Sequence, residues 1–325
     1  MITSPPMHSK HYLPALLAIG LGSTPTAGRT CDLCAIYTAT EAHGGNHTGF
    51  IFGAAEQFTH FGTLQFDGVE EPDPIGQEWN SSITQALVGY DFDRISIQIN
   101  IPYIHRSYRR AEGFAVEEGT ESGFGDLSLV ARYLAWHHES DQVTGLWHVL
   151  AGIKLPTGSS DRLQEELHEV EIEGAPESGI HGHDLALGSG SFDGVVGTSL
   201  YLRSDRAFVT GSAQYSIRSE GDYGYRYAND FLWEAGPGVY LVLNDNTSIA
   251  LQLLASGEIK GKDTFRGESA EDTGITDVFL GPHLSATFGP GLSGEIGLDI
   301  PVRIDNTALQ SVPDYRIRAG LTWRY

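Results

Sequence analysis

Several features that many proteins have in quantity are scarce in this chain. Among its 325 residues there are two cysteines, two methionines and no uncharged apolar run of about 20 residues, the length that a membrane-spanning helix needs. Basic residues are also few: 20 lysines and arginines face 42 aspartates and glutamates, which gives a net charge of −22. The sequence therefore excludes a polytopic helical membrane protein. Its charge argues against a nucleic-acid partner, whose phosphates would repel it.

What the chain has in quantity is glycine and aromatic residues, with 40 glycines, 14 tyrosines and 14 phenylalanines. This composition is typical of short strands and turns. From about residue 48 to the C-terminus apolar and polar residues alternate, most clearly in residues 95–103, and a period of two indicates β-strands. The alternation predicts strands near 48–58, 81–92, 94–105, 124–137, 143–155, 189–203, 206–218, 230–243, 246–258, 275–288, 291–303 and 315–325.

The connections between these strands alternate in length. Short sequences rich in Asp, Asn, Gly and Pro follow the second, fourth, sixth, eighth and tenth strands. Long polar segments separate the other pairs: 59–80, 106–123, 156–187, 219–229, 259–274 and 304–314. Greek-key sandwiches break such an order, whereas membrane barrels have short periplasmic turns and long extracellular loops. The sequence thus predicts an all-β, antiparallel, up-and-down transmembrane β-barrel of about 12 strands, with both termini in the periplasm.

Each predicted strand has one apolar face and one polar face, and the polar faces carry charges. In a barrel the apolar face contacts lipid and the polar face lines a wet lumen. We expect eight charged side chains to line the lumen and to shape the field felt by a permeating solute. They are Arg203, Arg218, Glu234, Glu295, Asp299, Arg303, Arg316 and Arg318.

The last strand, 315–325, has alternating aromatic residues that end with Trp323 and Tyr325. Aromatic residues at lipid-facing positions form girdles at the membrane interfaces. The pattern also resembles the C-terminal signal by which bacterial outer-membrane barrels are handed to their assembly machinery, with Tyr in place of the commoner Phe. We expect this strand to pair with the first strand, because hydrocarbon tolerates no unpaired backbone edge.

The N-terminus has the layout of a secretory signal peptide. Lys10 precedes the apolar stretch Tyr12–Gly22, and small residues follow it. Because Arg29 and Thr30 precede Cys31, the cysteine does not lie in a lipoprotein-type sequence. The sequence predicts export to the outer membrane of a Gram-negative bacterium, with a signal peptide at 1–27, a periplasmic segment at 28–47 and the barrel at 48–325.

The periplasmic segment holds both cysteines, Cys31 and Cys34, followed by His43 and His47. A disulfide between the cysteines is the simplest interpretation in an oxidising compartment. The four side chains could instead bind a soft metal ion, although their spacing is shorter than in zinc fingers. They could also contact a redox or other periplasmic partner. In these alternatives the barrel would anchor a structural or metal-binding protein. No other cofactor is expected.

Two features of the segment 156–187 could carry chemistry. Residues 181–184 have the sequence HGHD, which could bind a metal or serve acid–base chemistry, or could be ordinary loop residues. Residues 161–173 are dense in carboxylates and place Leu163, Leu167 and Val170 at roughly helical spacing. This stretch could be a short helix in the barrel mouth that favours cations. It could equally be a solvated loop whose acids bridge divalent ions among lipopolysaccharides.

Two further motifs, GIKLPTGSSD at 152–161 and LALGSGSFDGVVGTSLY at 185–201, resemble the family named MetA-pathway of phenol degradation. The resemblance covers most of the mature chain. It implies an outer-membrane channel or transporter for small solutes, aromatic or apolar compounds among them. The His-x-Ser-Asn-Gly motif of outer-membrane phospholipases is absent, and we expect no enzyme. The expected partners are outer-membrane lipid, lipopolysaccharide, the barrel assembly machinery and the solute, with the barrel a monomer.

Overall fold

Twelve antiparallel strands form a closed barrel in the computed structural model, which describes residues 48–140, 142–167 and 172–325. Each strand pairs with the next along the chain, and the last pairs with the first. The strands are β1 Gly49–Phe66, β2 Glu78–Phe92, β3 Ile95–Glu112, β4 Ser128–Glu139, β5 Val143–Lys154, β6 Asp193–Ser204, β7 Ala207–Ile217, β8 Asp230–Asn244, β9 Thr247–Lys260, β10 Ile275–Phe288, β11 Leu292–Asn306 and β12 Leu309–Arg324. The predicted fold class is confirmed.

The seam between β1 and β12 closes the barrel over nearly the full length of both strands. Ile51 lies opposite Arg324 at one end. Just beyond it, Phe50 and Tyr325 exchange two backbone hydrogen bonds, with N to O distances of 3.0 and 2.9 Å. The seam therefore leaves no strand edge open to lipid, which is the condition for a sheet to cross hydrocarbon.

The two faces of the wall are the inverse of those in a soluble barrel. On β3 the exposed outer side chains are Ile95, Ile97 and Ile99, and the buried inner ones are Ser96, Gln98 and Asn100. Aromatic rings gather on the outer surface near the C-terminus, where the ring centroids of Phe50 and Tyr90 are 4.9 Å apart. An apolar outside and a polar inside suit lipid around the barrel and water within it.

Tight turns connect the strands at the end of the barrel that carries Tyr325. Two residues each join β2 to β3, β6 to β7 and β8 to β9. Asp93 and Asp205 take left-handed backbone conformations there, with φ of 62° and 51°. Asp is one of the few residues that tolerate this region, which two-residue hairpins require.

One of the predicted long connections, 304–314, is wrong. Thr307 and Ala308 alone separate β11 from β12 and form a two-residue turn, with Ala308 at a φ of 51°. The polar residues here break the apolar alternation and suggest a loop. Strands that rise above the lipid, however, face water on both sides and need no apolar outer face.

The predicted loop 106–123 is also mostly strand. β3 continues to Glu112 and pairs there with an additional strand, Ala115–Phe124, where the sequence pattern predicts a loop. β4 begins only at Ser128 and pairs with the first part of β3. Residues 125–127 interrupt what would otherwise be one long strand. The result is a hairpin that stands above the wall of the barrel.

Short elements occupy the other connections at this outer end. They are the strands Val69–Glu70, Tyr225–Arg226, Thr264–Phe265 and Glu268–Ser269, the 3-10 helices Asp161–Leu167, Asp222–Gly224 and Glu271–Thr273, and the helix α1, Gly182–Leu185. No helix in these described ranges is long and apolar enough to cross a membrane. The predicted signal peptide and the segment with Cys31, Cys34, His43 and His47 lie outside the described residues.

Candidate functional site

The connection between β5 and β6, residues 155–192, lies across the outer mouth of the barrel, and we call it the plug. Its two ends meet in a narrow neck. There the carbonyl of Ser159 accepts hydrogen bonds from the backbone N–H groups of Leu187 and Gly188, at 3.1 and 2.8 Å. The described part of the plug between these ends includes the first 3-10 helix and α1.

Apolar side chains hold the plug against the inner wall. Ile180 and Leu185 pack with Phe61, Trp79 and Tyr108, which belong to β1, β2 and β3. Further contacts join Leu187 to Ile83 and Ile104, and Leu163 and Ala186 to Tyr225 and Tyr227. Ile180, Leu185 and Leu163 are completely buried. Burial of each such side chain stabilises by about 1.5–3 kcal/mol, so withdrawing the plug would cost several kcal/mol.

Wall residues also bind the backbone of the plug. Arg106 of β3 is 2% exposed, and its Nη1 donates a hydrogen bond of 2.6 Å to the carbonyl of Ala186. Ser311 lies in β12, three strands away from β3 in the closed sheet, and its N–H donates to the carbonyl of Gly179 at 2.8 Å. The plug is therefore bound through its backbone to two separate strands of the wall. In the described part of the acidic stretch, Asp161–Leu167 form a short 3-10 helix whose Leu163 packs against Tyr225 and Tyr227.

An ionic cluster joins the plug to the hairpin above β3. Arg110 Nη2 lies 2.7 Å from Glu117 of the hairpin and 3.0 Å from Glu165 of the plug. Arg162 of the plug also binds Glu165. Burial alone would raise the pKa of Glu117, but hydrogen bonds from Tyr108 and Arg110, together with the charges of Arg110 and Arg162, outweigh it and hold that pKa below its usual value. The cluster thus favours the ionised form of Glu117.

Acid is expected to loosen the contact between plug and hairpin. The pKa of Glu117 is lower in the folded protein than in the unfolded chain, where it is about 4.3. The stabilisation that ionised Glu117 contributes is therefore fully present above the unfolded pKa and is lost as the pH falls through the lower folded pKa. Hydrogen exchange of plug amides, expressed relative to the intrinsic exchange rate at each pH, should therefore accelerate between about pH 5 and pH 3 in the wild type, and less so in Glu117→Gln. Glu118→Gln is the matched control, because Glu118 pairs only with the exposed Arg109 in the ion pairs that the structure shows. Equal acceleration in all three proteins would contradict the prediction.

Below the plug the lumen contains a cavity of about 290 Å³. Ile83 lines this cavity and also contacts Leu187, so the plug forms its roof. The lining includes the acidic side chains of Glu234, Glu258, Asp277 and Glu295 and the basic side chains of Arg132, Arg316 and Arg318. A wall that carries both signs of charge can solvate polar solutes and sets the field they experience.

An ion pair crosses the lumen at this level. Arg318 on β12 binds Glu234 on β8, with an Nη1 to Oε2 distance of 3.1 Å, although three strands separate β8 from β12 in the sheet. Arg318 also lies 2.8 Å from the buried Asp299 of β11, which in turn is 2.8 Å from His283 of β10. This cluster narrows the pore. A passing solute would meet here fixed charges from two parts of the wall that are not adjacent in the sheet.

The wall nearer the tight turns is more apolar. Tyr201 and Tyr240 share a hydrogen bond of 2.7 Å between their hydroxyl groups, and the rings of Phe208 and Tyr240 are 5.0 Å apart. Leu146 and Leu254 also line the cavity. The cavity therefore offers a charged side and an aromatic side to a small molecule.

A buried charge network lies at the neck of the plug, where β4 begins after its interruption. Lys154 Nζ is 2.8 Å from Asp126 and 2.9 Å from Asp193. Arg218 binds Asp193 at 2.8 Å and Asp230 at 2.7 Å. The side chains of all five residues are at most 5% exposed. The alternating charges link β5, β6, β8 and the segments that flank them.

The eight charged residues predicted from the sequence lie in several different places. Glu234, Glu295, Arg316 and Arg318 line the cavity, and Asp299 binds one of them. Arg218 belongs to the neck network instead. Arg203 donates a hydrogen bond of 2.7 Å to Thr144 near the tight turns. Arg303 is 66% exposed, pairs with Asp305 and does not line the cavity, because a register shift between β10 and β11 intervenes.

The sequence interpretation overlooked Arg132, His148, Glu258, Asp277 and His283 as lining residues. The period-two pattern of their own strands places them on the polar face, so the signal was available. The outward, exposed positions of Trp323 and Tyr325 are those of girdle residues. Their role in assembly remains a prediction.

Comparison with known proteins supports the fold and leaves the family open. No family model and no curated protein matches the chain, so the resemblance to the phenol-degradation family remains a prediction. Among solved structures, an outer membrane channel from Pseudomonas putida F1 is similar, with 14% identity and a TM-score of 0.63 over 89% of this chain and 100% of that one. The toluene transporter TbuX from Ralstonia pickettii overlaps weakly, with 10% identity and a TM-score of 0.31 over 86% and 90% of the two chains.

The chain therefore has the fold of an outer-membrane β-barrel. The match to the Pseudomonas putida channel extends over 89% of this chain and over the whole of that protein. At this identity the match concerns the fold alone. What the lumen does must be argued from the side chains of this chain.

Proposed function

We propose that the protein is an outer-membrane channel that lets small solutes cross through its lumen. The observation that supports this proposal most directly is the cavity of about 290 Å³ inside a closed barrel whose outer surface is apolar. Its size is near the lower end of small-molecule sites. No strand edge interrupts the seam, so a solute inside the barrel is separated from lipid. The plug forms the roof of this cavity, so the plug must move aside before a solute can pass.

The cavity lining suggests the chemical class of the solute. The cross-lumen pair of Arg318 and Glu234 can contact polar or charged groups, and the aromatic wall around Tyr240 can contact an apolar ring. A small aromatic molecule with one polar or charged substituent would meet both. We therefore propose small aromatic solutes, such as a benzoate-like carboxylate, as the first class to test.

Glu295→Gln is expected to shift the ion selectivity of the open channel towards anions. A unit charge about 8 Å from a permeating ion in water changes the energies of a cation and of an anion by about 0.5 kcal/mol each, in opposite directions, which corresponds to roughly a fivefold change in the cation-to-anion permeability ratio. The reversal potential in a planar bilayer under a salt gradient measures this ratio. Glu220→Gln is the matched control, because it removes the same charge from an exposed outer loop.

The channel proposal predicts two further results, one in bilayer recordings and one in a vesicle uptake assay. A benzoate-like solute should cause concentration-dependent interruptions of current, and proteoliposomes should take it up faster than empty vesicles do. A folded protein that opens no pore, either intact or with the plug removed, would rule the proposal out. An unchanged reversal potential in Glu295→Gln would mean that the cavity does not lie on the permeation path.

A further inference from the structure

The HGHD motif of the plug has no part in the channel proposal, yet the structure buries it. His181 is 8% exposed and His183 is 4% exposed. Both belong to the turn around α1, on the side of the plug that faces the connection between β9 and β10. That connection contributes Asp272 from its short 3-10 helix. Two separate outer loops thus bring imidazoles and a carboxylate to one place.

The donor atoms are close enough for a single metal ion. One ligand atom from each of His181, His183 and Asp272 lies within 4.8 Å of the others. His181 Nδ1 is already 3.0 Å from Asp272 Oδ2. Ligands about 2.0–2.1 Å from a tetrahedral Zn²⁺ are about 3.3 Å apart, so closing the site requires side-chain shifts of roughly 1 Å.

A buried carboxylate orients one of the two imidazoles. Glu166 Oε1 lies 2.9 Å from His183 Nδ1 and also accepts the backbone N–H of His183 at 2.9 Å. With Nδ1 bound to Glu166, the other ring nitrogen, Nε2, is the one that can face a metal. Carboxylate–histidine–metal arrangements of this kind fix the tautomer and the ring orientation.

A further carboxylate lies between the two rings. Asp184 Oδ1 is 3.5 Å from His183 Nε2, and Asp184 Oδ2 is 3.9 Å from His181 Nδ1. The imidazole rings stack with a centroid distance of 5.6 Å and an interplanar angle of 14°. Asp184 is thus placed to serve as a fourth donor, completing a set of two nitrogens and two oxygens.

We propose that His181, His183 and Asp272, with Asp184 beside them, form a binding site for a divalent transition metal of the Zn²⁺ class. Imidazole ligands favour Zn²⁺ and its neighbours over Ca²⁺ or Mg²⁺, which prefer oxygen. A divalent cation would also offset the three carboxylates of Glu166, Asp184 and Asp272. Because the ligands come from two loops, the metal fastens the plug to the β9–β10 connection. The proposal concerns binding and does not depend on which solute, if any, the channel carries.

Calorimetric titration of Zn²⁺ into the refolded, chelator-treated full chain tests the site. The N-terminal Cys31, Cys34, His43 and His47 are a competing candidate, so the experiment uses a Cys31→Ser/Cys34→Ser background alongside the wild type. In that background we expect one Zn²⁺ per chain. His181→Ala and Asp272→Asn should each weaken binding by at least about tenfold, and Glu166→Gln should weaken it by about 10- to 100-fold through His183.

A matched control and a spectroscopic readout make the result decisive. His138→Ala removes an exposed histidine at the opposite end of the barrel and should leave binding unchanged. Co²⁺ in place of Zn²⁺ should give a tetrahedral absorption band without the thiolate charge-transfer band that cysteine ligands produce. Heat-dependent mobility on a denaturing gel confirms that each variant folds. Zn²⁺ binding that disappears with the cysteines, or that persists in folded His181→Ala and Asp272→Asn, would overturn the proposal.

Discussion

Excising the plug is expected to raise the single-channel conductance of the barrel roughly tenfold or more, because a barrel of 12 strands is wider than the eight-stranded type whose interior side chains fill completely. In the intact protein the plug roofs the cavity through Leu187 and Ile83. The fully buried Ile180, Leu185 and Leu163 make spontaneous withdrawal rare. The wild type should therefore show brief, infrequent openings, and the excised variant a large, steady current.

The neck of the plug allows this excision without stretching the barrel. Ser159 and Gly188 are already joined by a backbone hydrogen bond of 2.8 Å, so two or three glycines can replace residues 160–187. Ser189 remains in place, and with it the hydrogen bond of 2.7 Å from Lys154. Glu173→Gln, an exposed substitution within the plug, is the control for a mere change of charge and should conduct like the wild type.

Two outcomes of the excision would contradict different parts of this prediction. If the folded variant conducts no better than the wild type, the constriction lies elsewhere, and the cross-lumen pair of Arg318 and Glu234 is the next candidate. If the variant no longer folds, the plug is a structural core rather than an obstacle. Arg106→Leu then provides a milder test, because it removes the 2.6 Å hydrogen bond to Ala186 and the cation–π contact with Trp79 but keeps the rest of the plug, and it should raise the frequency of openings.

The barrel itself could be predicted from the sequence because lipid imposes a strict rule on it. Where a strand crosses hydrocarbon, one face must be apolar, and the period-two pattern in residues 95–103 follows directly. Above the lipid this constraint ends. The errors about connections, at 59–80, 106–123 and 304–314, concern strand that continues into water, where a polar outer face costs nothing.

The plug could not be placed from its own sequence for a different reason. Its acidic stretch has the composition of a solvated loop, and the position of Leu163 in the mouth depends on Tyr225 and Tyr227, about 60 residues away. The pairing of Arg318 with Glu234 likewise depends on the diameter and stagger of the closed barrel. Alternation gives the face of each residue, but only closure determines which residues meet across the lumen.

In the neck network, alternation predicts the face on which a residue lies, but only the folded barrel determines its partners. Lys154 falls on the polar face of β5, as alternation predicts, yet its partners Asp126 and Asp193 come from the interruption before β4 and from the start of β6. The interruption removes the ladder partner that β3 would otherwise have there. At this point in the wall, buried charges with matched partners join the interruption to β5 and β6.

Lys154→Met is expected to destabilise the barrel by about 3–5 kcal/mol, the usual cost of breaking a buried ion pair by removing one partner. Methionine keeps the length of the side chain but leaves Asp126 without its ammonium partner at 2.8 Å, in a site where both side chains are at most 5% exposed. Asp193 keeps Arg218, at 2.8 Å, so the loss falls mainly on Asp126. Urea unfolding of the protein in lipid vesicles, followed by tryptophan fluorescence, measures the change.

Lys262→Met is the matched control for this substitution. Lys262 pairs with Glu271 in an outer loop, where the two side chains are 35% and 67% exposed, and exposed pairs contribute at most about 1 kcal/mol. Adding Asp126→Asn to Lys154→Met should recover part of the loss, because the amide carries no uncompensated charge. Equal unfolding midpoints for Lys154→Met and Lys262→Met would mean that water reaches the neck and screens the network. The interruption before β4 would then be a hydrated gap in the wall, held together by the plug and not by buried charge.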